Sequence, residues 1–284
     1  MQIEFTKMHG LGNDFMVINA ISQNISLASE QIRFLSNRHT GIGFDQLLLI
    51  ENSDEPEVDF RYRIYNADGG EVEQCGNGAR CFARFVRDEG LTNKTEITVI
   101  TKTGIITLKV ASDESVTVDM DKPTLHPENI PFKCDKKSLT YQLKIDINSA
   151  ENVVEFCAVS MGNPHAVIVV DDINTAPVEA IGEALQAHRS FPQSVNVGFM
   201  QIHDKDNISL RVYERGVGET QACGTGACAA VVAGRLLGVL DENVRVNLLG
   251  GELSISWSGS AQDFDHPVMM TGPTATVFKG IITL

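Results

Sequence analysis

The stretch RIYNADGGEVEQCGNGARC (63–81) can be laid over RVYERGVGETQACGTGACA (211–229) without a gap, and eight of the nineteen positions are identical. They are Arg63/Arg211, Tyr65/Tyr213, Gly70/Gly218, Glu71/Glu219, Cys75/Cys223, Gly76/Gly224, Gly78/Gly226 and Ala79/Ala227, all at a shift of 148. Identity of this density within one chain marks an internal duplication. At a shift of 150, GNDFMVI (12–18) meets GNPHAVI (162–168), and Gln46 of the apolar run QLLLI meets Asn196 of NVGFM. Both halves therefore carry one order of elements. A Gly-Asn turn and an apolar strand lead to a charged helix (about 28–37 and 178–189) and then to a strand ending in Tyr65 or Tyr213. A Cys-Gly-x-Gly turn and a second helix follow.

The helix after Cys75, about 77–89, sets Ala79, Phe82, Phe85 and Val86 at the spacing of one buried face. The helix after Cys223, about 225–238, is apolar almost all round, as a fully enclosed helix should be. Alternating β-branched runs come next in each half: TEITVITKTGIITLKV with a Lys102-Thr103-Gly104 turn, and VRVNLLGGELSISW with Gly250-Gly251. The expected fold is α+β, in two pseudo-symmetric lobes, each a curved, barrel-like mixed sheet around a central helix. Pro123, Pro127 and Pro131 break the pattern near 121–131, which sets the lobes at 1–122 and 123–272. The segment 273–284, after the Gly272-Pro273 break, is expected to return to the first lobe.

A chain of 284 residues with 43% hydrophobic and 21% charged residues has the composition of a packed globular protein. Its 23 Lys and Arg against 37 Asp and Glu give a formal charge of -14, which repels phosphate backbones and anionic lipid. Nucleic acid and membrane partners are not expected. Met1 to Thr6 show no basic segment leading into an apolar one, and the most apolar stretch, Gly224 to Leu240, is interrupted by Arg235. A cytoplasmic location follows as the expectation, with the six cysteines as thiols.

A cysteine at the start of a helix lies beside backbone N–H groups that lack helical partners and at the positive end of the helix dipole, which favours thiolate. Those N–H groups also form a seat for a carboxylate, and Gly76 and Gly224 let a ligand come close to the backbone. If the two lobes face one another, one thiol stands on each side of an anionic group. That arrangement suits inversion at a carbon, one thiolate removing a proton from one face while the opposite thiol delivers one to the other. Charge spreading into the carboxylate would be stabilised by the helix ends.

The same residues admit other readings. The C-x5-C of 75–81 and the C-x4-C of 223–228 lack the paired C-x2-C spacing of zinc sites, so no metal is expected. GNG and GTG come without a Walker lysine or a dinucleotide fingerprint, and nothing signals pyridoxal phosphate. Cys81 and Cys228 sit inside the helices as packing residues, and Cys134 and Cys157 belong to no pattern. Asn13, Asn66, Asn163 and Asn196 could each be a turn former, but their placement at equivalent edges of the halves makes them binding candidates. His165 alone would read as a structural imidazole. Glu214-Arg215 falls where the first half has Asn66-Ala67, so the halves diverge there, as expected where a ligand is asymmetric. A non-catalytic amino-acid binder would need the helix ends but no sulfur, and a redox protein would want two thiols within one turn.

The segments KMHGLGNDF (7–15), GIGFDQ (41–46), NADGGEVEQCGNGARC (66–81), MGNPH (161–165), the Asn196 strand and ERGVGETQACGTGACA (214–229) resemble the diaminopimelate epimerase family nearly end to end. Related proline racemases and phenazine-type isomerases share the two-lobed fold but are expected to lack this full set, notably Asn77 and the Glu214-Arg215 pair. The resemblance implies a cofactor-independent enzyme interconverting LL- and meso-2,6-diaminopimelate in lysine and cell-wall precursor synthesis, and a homodimer. By similarity Cys75 and Cys223 are the acid/base pair. The reacting carboxylate rests on the N–H groups of Gly76-Asn77 and Gly224-Thr225, and Asn13, Gln46, Asn66, Asn163, Asn196, Glu214 and Arg215 hold the substrate. The resemblance also implies that His165 and Glu214 tune the thiols or bind the reacting ammonium, and in the first role imidazolium would favour thiolate and carboxylate disfavour it. Arg215 suits the distal carboxylate. Gly70 stands where Ser is expected and Tyr213 where Trp is more usual, and both flank the site.

Overall fold

The computed structural model describes the whole chain except residues 73, 74, 103, 148 and 149. The turn read at 102–104 thus has its middle residue outside the described residues, as the duplicated segment does with Glu73 and Gln74. The chain divides into two compact units, Met1–Asp119 with Thr271–Leu284, and Met120–Met270. Among the described residues no helix is long and apolar enough to cross a membrane.

In the first unit β1 (Gln2–Gly10) and β2 (Asn13–Asn19) form an antiparallel hairpin. Its two turn residues, Leu11 and Gly12, both lie at positive φ (56° and 88°), the backbone that matches a right-handed strand twist. After α1 (Ser29–Ser36), β3 (Gln46–Asn52) runs parallel to β2, and β4 (Phe60–Asn66) returns antiparallel to β3. The short β5 (Glu71–Val72) turns back along β4 and leads to α2 (Gly76–Asp88). Then β6 (Glu96–Thr101) joins β4 in parallel and continues into β7 (Gly104–Val110) and β8 (Val116–Asp119).

Phe15–Ile18 of β2 and Leu47–Ile50 of β3 are buried at every position, which is why both read as continuous apolar runs and not as alternation. Met16, Ile18, Leu47 and Leu49 pack with Ile32 and Leu35 of α1 on one face. On the other face lies α2, in contact with β1, β2, β3, β7 and β8. The predicted face Ala79, Phe82, Phe85 and Val86 is buried, but so is every residue from Gly76 to Ala83, Arg80 included. The sheet curves round the helix, so α2 is enclosed where its sequence suggested a single buried stripe.

The second unit repeats this plan. After β9 (Tyr141–Ile147) and β10 (Ala150–Ser160) come β11 (Pro164–Val169), α3 (Val178–Gln186), β12 (Asn196–Asp204), β13 (Asn207–Glu214) and β14 (Gly218–Thr220). Then α4 (Gly224–Leu236), β15 (Asn243–Leu248) and β16 (Gly251–Ser256) follow. The helix α4 contacts β10 to β13 and β16, and Gly226 to Gly234 are all buried. Val178 and Leu185 of α3 pack on the opposite sheet face with Ile168, Val197 and Phe199. The chain ends in β17 (Met269–Gly272) and β18 (Ala275–Thr283), and β18 pairs antiparallel with β1, matching Gln2 to Thr283.

Strand register extends the duplication beyond the matched nineteen residues. Phe15 stands opposite Gln46 as His165 stands opposite Asn196, and Ile64 opposite Val72 as Val212 stands opposite Thr220. Phe60 and Arg61 face Val99 and Ile100 as Ile208 and Ser209 face Val246 and Asn247. The duplicated Arg and Glu have the same partners too. Arg63 Nε and Nη2 donate to the two oxygens of Glu71 (2.9 and 2.9 Å), as Arg211 Nε and Nη2 do to those of Glu219 (2.5 and 2.8 Å). These forked pairs clip β4 to β5 and β13 to β14. The fold is thus α+β, two sheet-dominated units of one topology, each curved around an enclosed helix.

Candidate active site

In the first unit Asn13 opens β2, Gln46 opens β3 and Asn66 closes β4, so the parallel and antiparallel pairings bring all three to one end of the sheet. Cys75 caps α2, and the sheet that encloses this helix sets the cap at the same end. Its Sγ accepts from the Gly78 N–H (3.4 Å), and its S–H donates to Asn13 Oδ1 (3.7 Å). Asn77 Nδ2 donates to the same oxygen (3.2 Å), and Arg80 Nη2 donates to Asn77 Oδ1 (2.9 Å). Gly10 leaves room for this buried arginine, since a side-chain carbon there would lie 3.0 Å from its Nη2. Gly78 is needed for the close approach of α2 to the sheet: a carbon on it would lie 2.4 Å from Tyr62 Oη.

Asn13 is aimed by a charged network. Its Nδ2 donates to Asp45 Oδ2 (3.0 Å), and Asp14 and Asp45 are clamped by Arg38, which forks onto Asp14 (2.8 and 2.8 Å) and reaches Asp45 (2.8 Å). Lys7 Nζ also donates to Asp14 (2.6 Å) and to the Gly43 carbonyl. Burial alone would raise the Asp14 pKa, but the hydrogen bonds from Arg38 and Lys7 outweigh it and hold this carboxyl far below the usual range. Sequence reasoning passed over Lys7, Asp14, Arg38 and Asp45, although Lys7 and Asp14 inside KMHGLGNDF and Asp45 inside GIGFDQ were a signal. Gln46 and Asn66 form a second group, Gln46 Nε2 donating to Asn66 Oδ1 (2.9 Å). That leaves Gln46 Oε1 as a buried acceptor with no partner among the described residues.

The second unit builds the equivalent cluster with different chemistry. Asn163 lies in the β10–β11 turn, His165 and Asn196 begin β11 and β12, Glu214 closes β13, and Cys223 caps α4. Asn163 Nδ2 donates to Thr225 Oγ1 (3.3 Å), the counterpart of the Asn13–Asn77 contact, and Thr225 Oγ1 lies 3.6 Å from Cys223 Sγ. His165 Nε2 stands 2.9 Å from Asn163 Oδ1. Asn196 Nδ2 donates to the Pro164 carbonyl (3.0 Å), and its Oδ1 accepts from the Arg215 N–H (2.9 Å), so it pins the chain where the charge pair begins. The Arg215 guanidinium donates to the Gln193 carbonyl (3.1 Å), and Thr220 Oγ1 donates to Glu214 Oε1 (2.5 Å).

Two sequence expectations about charge change here. The helix end was expected to favour thiolate at Cys223. Instead burial, and after it the Glu214 carboxylate, push this thiol well above its ordinary pKa, against smaller opposing effects of the Thr225 hydroxyl and the Gly226 N–H. His165 was expected to favour thiolate as imidazolium. Burial, reinforced by the nearby Arg215 guanidinium, lowers its pKa from 6.5 to about 3, so the ring is neutral near pH 7. Its Nε2–H then donates to Asn163, and Nδ1 is left without a partner among the described residues. Each thiol thus caps the N-terminus of a 13-residue helix, a position that suits carboxylate binding and proton exchange at sulfur.

Residues 5–126 and 157–277 match the family model described as diaminopimelate epimerase. Similar solved structures include a phenazine biosynthesis protein of the PhzF family from Bacillus anthracis, 15% identical with a TM-score of 0.71 over 100% of both chains. A hydroxyproline epimerase from Agrobacterium vitis with bound trans-4-hydroxy-L-proline is 14% identical, with a TM-score of 0.70 over 99% of this chain and 92% of that one. A probable proline racemase from Agrobacterium radiobacter with bound carbonate is 15% identical, with a TM-score of 0.65 over 99% and 92%. At such identities the likeness shows a common fold. The family match covers both units and both capping cysteines, so the chain belongs to the diaminopimelate epimerase family and carries the isomerase fold of that family.

Proposed function

We propose that the protein is a cofactor-independent epimerase that interconverts LL- and meso-2,6-diaminopimelate, with Cys75 and Cys223 as its acid/base pair. One observation carries this reading: two duplicated cysteines cap equivalent helices, and the clusters around them differ where Glu214-Arg215 replaces Asn66-Ala67. A substrate with one amino-acid head has no use for a charged pair added on one side. A two-headed one needs a cation for its distal carboxylate, and Arg215 supplies it. The ammonium groups need acceptors, and Gln46 Oε1 is one that is already desolvated.

In the forward direction the Cys75 thiolate takes the α-proton and the Cys223 thiol gives its proton to the opposite face of the same carbon. The enzyme emerges with the thiol on Cys75 and the thiolate on Cys223, and the reverse reaction restores it. The high pKa of Cys223 supports its part as the resting proton donor. Carbanionic charge flows into the carboxylate held by the N–H groups of Gly76, Asn77, Gly224 and Thr225. This requires one ligand to be held by both helix ends at once.

The test is hydrogen exchange. LL-diaminopimelate incubated with the protein and a thiol reductant in D2O, without added cofactor, gains deuterium at one α-carbon while proline and single-headed amino acids gain none. Deuterium in proline alone would transfer the protein to another substrate class, and no exchange with any amino acid would remove the reading. Roles in lysine and peptidoglycan precursor synthesis, and a homodimer of twice 31.0 kDa by light scattering, belong to the same proposal.

A further inference from the structure

Two of the places where the units diverge lie in contact with each other. At the shift of 148, Asn66 becomes Glu214 and Val72 becomes Thr220. In the first unit Val72 pairs with Ile64 and offers no hydroxyl, and Asn66 Oδ1 takes its hydrogen bond from Gln46 Nε2 (2.9 Å). In the second unit the counterpart of Gln46 is Asn196, which is turned to the Pro164 carbonyl and the Arg215 N–H. Glu214 takes a donor from the other neighbouring strand, β14, where Thr220, paired with Val212 of β13, reaches Oε1 at 2.5 Å. An oxygen-to-oxygen distance that short is typical of a hydroxyl donating to an ionised carboxylate.

We infer that Thr220 is a positioning residue for the reaction proposed above: its hydroxyl fixes the Glu214 carboxylate beside the Cys223 thiol and so sets the proton-donating character of that thiol. The groups that bear on this thiol are Glu214 from β13 and Thr225 and the Gly226 N–H from α4. Behind them stand Asn163, the neutral His165 of β11, and Arg215 beside it. Glu214 is the anionic group among them. Without the Thr220 hydroxyl the carboxylate loses a charge-assisted donor, and it swings away or takes up a proton. In both cases less negative charge faces the sulfur, and thiolate forms more readily.

The test reads sulfur chemistry at Cys223 and needs no substrate, so it is independent of whether diaminopimelate is the substrate. Iodoacetamide modification of Cys223 is followed from pH 7 to 10 by peptide mass spectrometry, with Cys75 in the same sample as control. Thr220→Val is expected to speed Cys223 modification at pH 8 about three- to tenfold and leave the Cys75 rate unchanged, the shift of a fraction of a pKa unit to one unit that a neighbouring charge produces. Thr220→Ser should restore the wild-type rate. Glu214→Gln should speed it at least as much, and Thr220→Val added to Glu214→Gln should change nothing further. Should Thr220→Val fail to fold, Thr220→Ala carries the same comparison. A wild-type Cys223 rate in the variant, or an equal acceleration in the Glu214→Gln background, would overturn the inference. If deuterium exchange into diaminopimelate fails while this coupling holds, the substrate assignment falls and the Thr220 role stands.

Discussion

His165 stands where the first unit has Phe15, and the asparagine beside it is turned the other way. Asn163 Oδ1 faces the imidazole and its Nδ2 faces the helix cap at Thr225. Asn13, with Phe15 as its neighbour, turns Nδ2 to Asp45 and Oδ1 to the cap, where it accepts from Cys75. Two sequence-equivalent asparagines therefore present opposite polarity to the helix caps, Oδ1 at Cys75 and Asn77 and Nδ2 at Thr225. The cysteines themselves were legible because Cys-Gly-x-Gly is repeated. The polarity was not, because it depends on partners such as Asp45, 32 positions away from Asn13. Replacing either Cys75 or Cys223 by Ala is expected to lower deuterium exchange by about 10²- to 10⁴-fold, the range for losing one general acid or base. The melting temperature should move little, which differential scanning calorimetry would show.

At the scale of elements, the enclosed helices and the strands around them explain what the pattern could and could not reveal. Helices α1 and α3 and the caps of α2 and α4 were read to within a few residues, since glycines, caps and apolar spacing are local signals. The full enclosure of α2 was hidden because Arg80, buried at 0% exposure, looks like a surface residue until its bond to Asn77 and its close approach to Gly10 are seen. Close packing of α2 on β4 yields a paired prediction. Gly78→Ala drives a methyl into Tyr62 Oη and should destabilise the protein by about 1–3 kcal/mol or more in urea unfolding, as overpacking does. Tyr62→Phe removes the clashing oxygen, so the double variant should recover part of that loss. If the two effects simply add, the helix does not depend on this approach.

For the whole molecule, acid is expected to weaken the fold through His165. Its folded pKa of about 3 lies below the ordinary 6.5, so between those values the unfolded chain binds a proton that the folded one excludes. Stability is therefore full above about pH 6.5 and is lost as pH falls toward 3. Urea midpoints measured from pH 7 to 4.5 should drop less steeply for His165→Gln than for the wild type. The two-unit plan as a whole was legible from the repeat, and the Gly272-Pro273 break was the sign read for the return of 273–284, whereas the register of the last strand against β1 is a long-range pairing that no local pattern encodes. That pairing sets the chain ends side by side: the Met1 ammonium donates to the Leu284 carbonyl (2.6 Å), and the Leu284 N–H to the Met1 carbonyl (2.9 Å). A short Gly-Ser linker can bridge such a gap, and new ends opened at 119/120 would give a circular permutant in which residues 120–270 come first and 271–284, the linker and 1–119 follow. In that rearranged gene each unit is translated as one uninterrupted stretch, as in the tandem ancestor the duplication suggests, and the permutant should keep the native circular dichroism spectrum and its deuterium exchange.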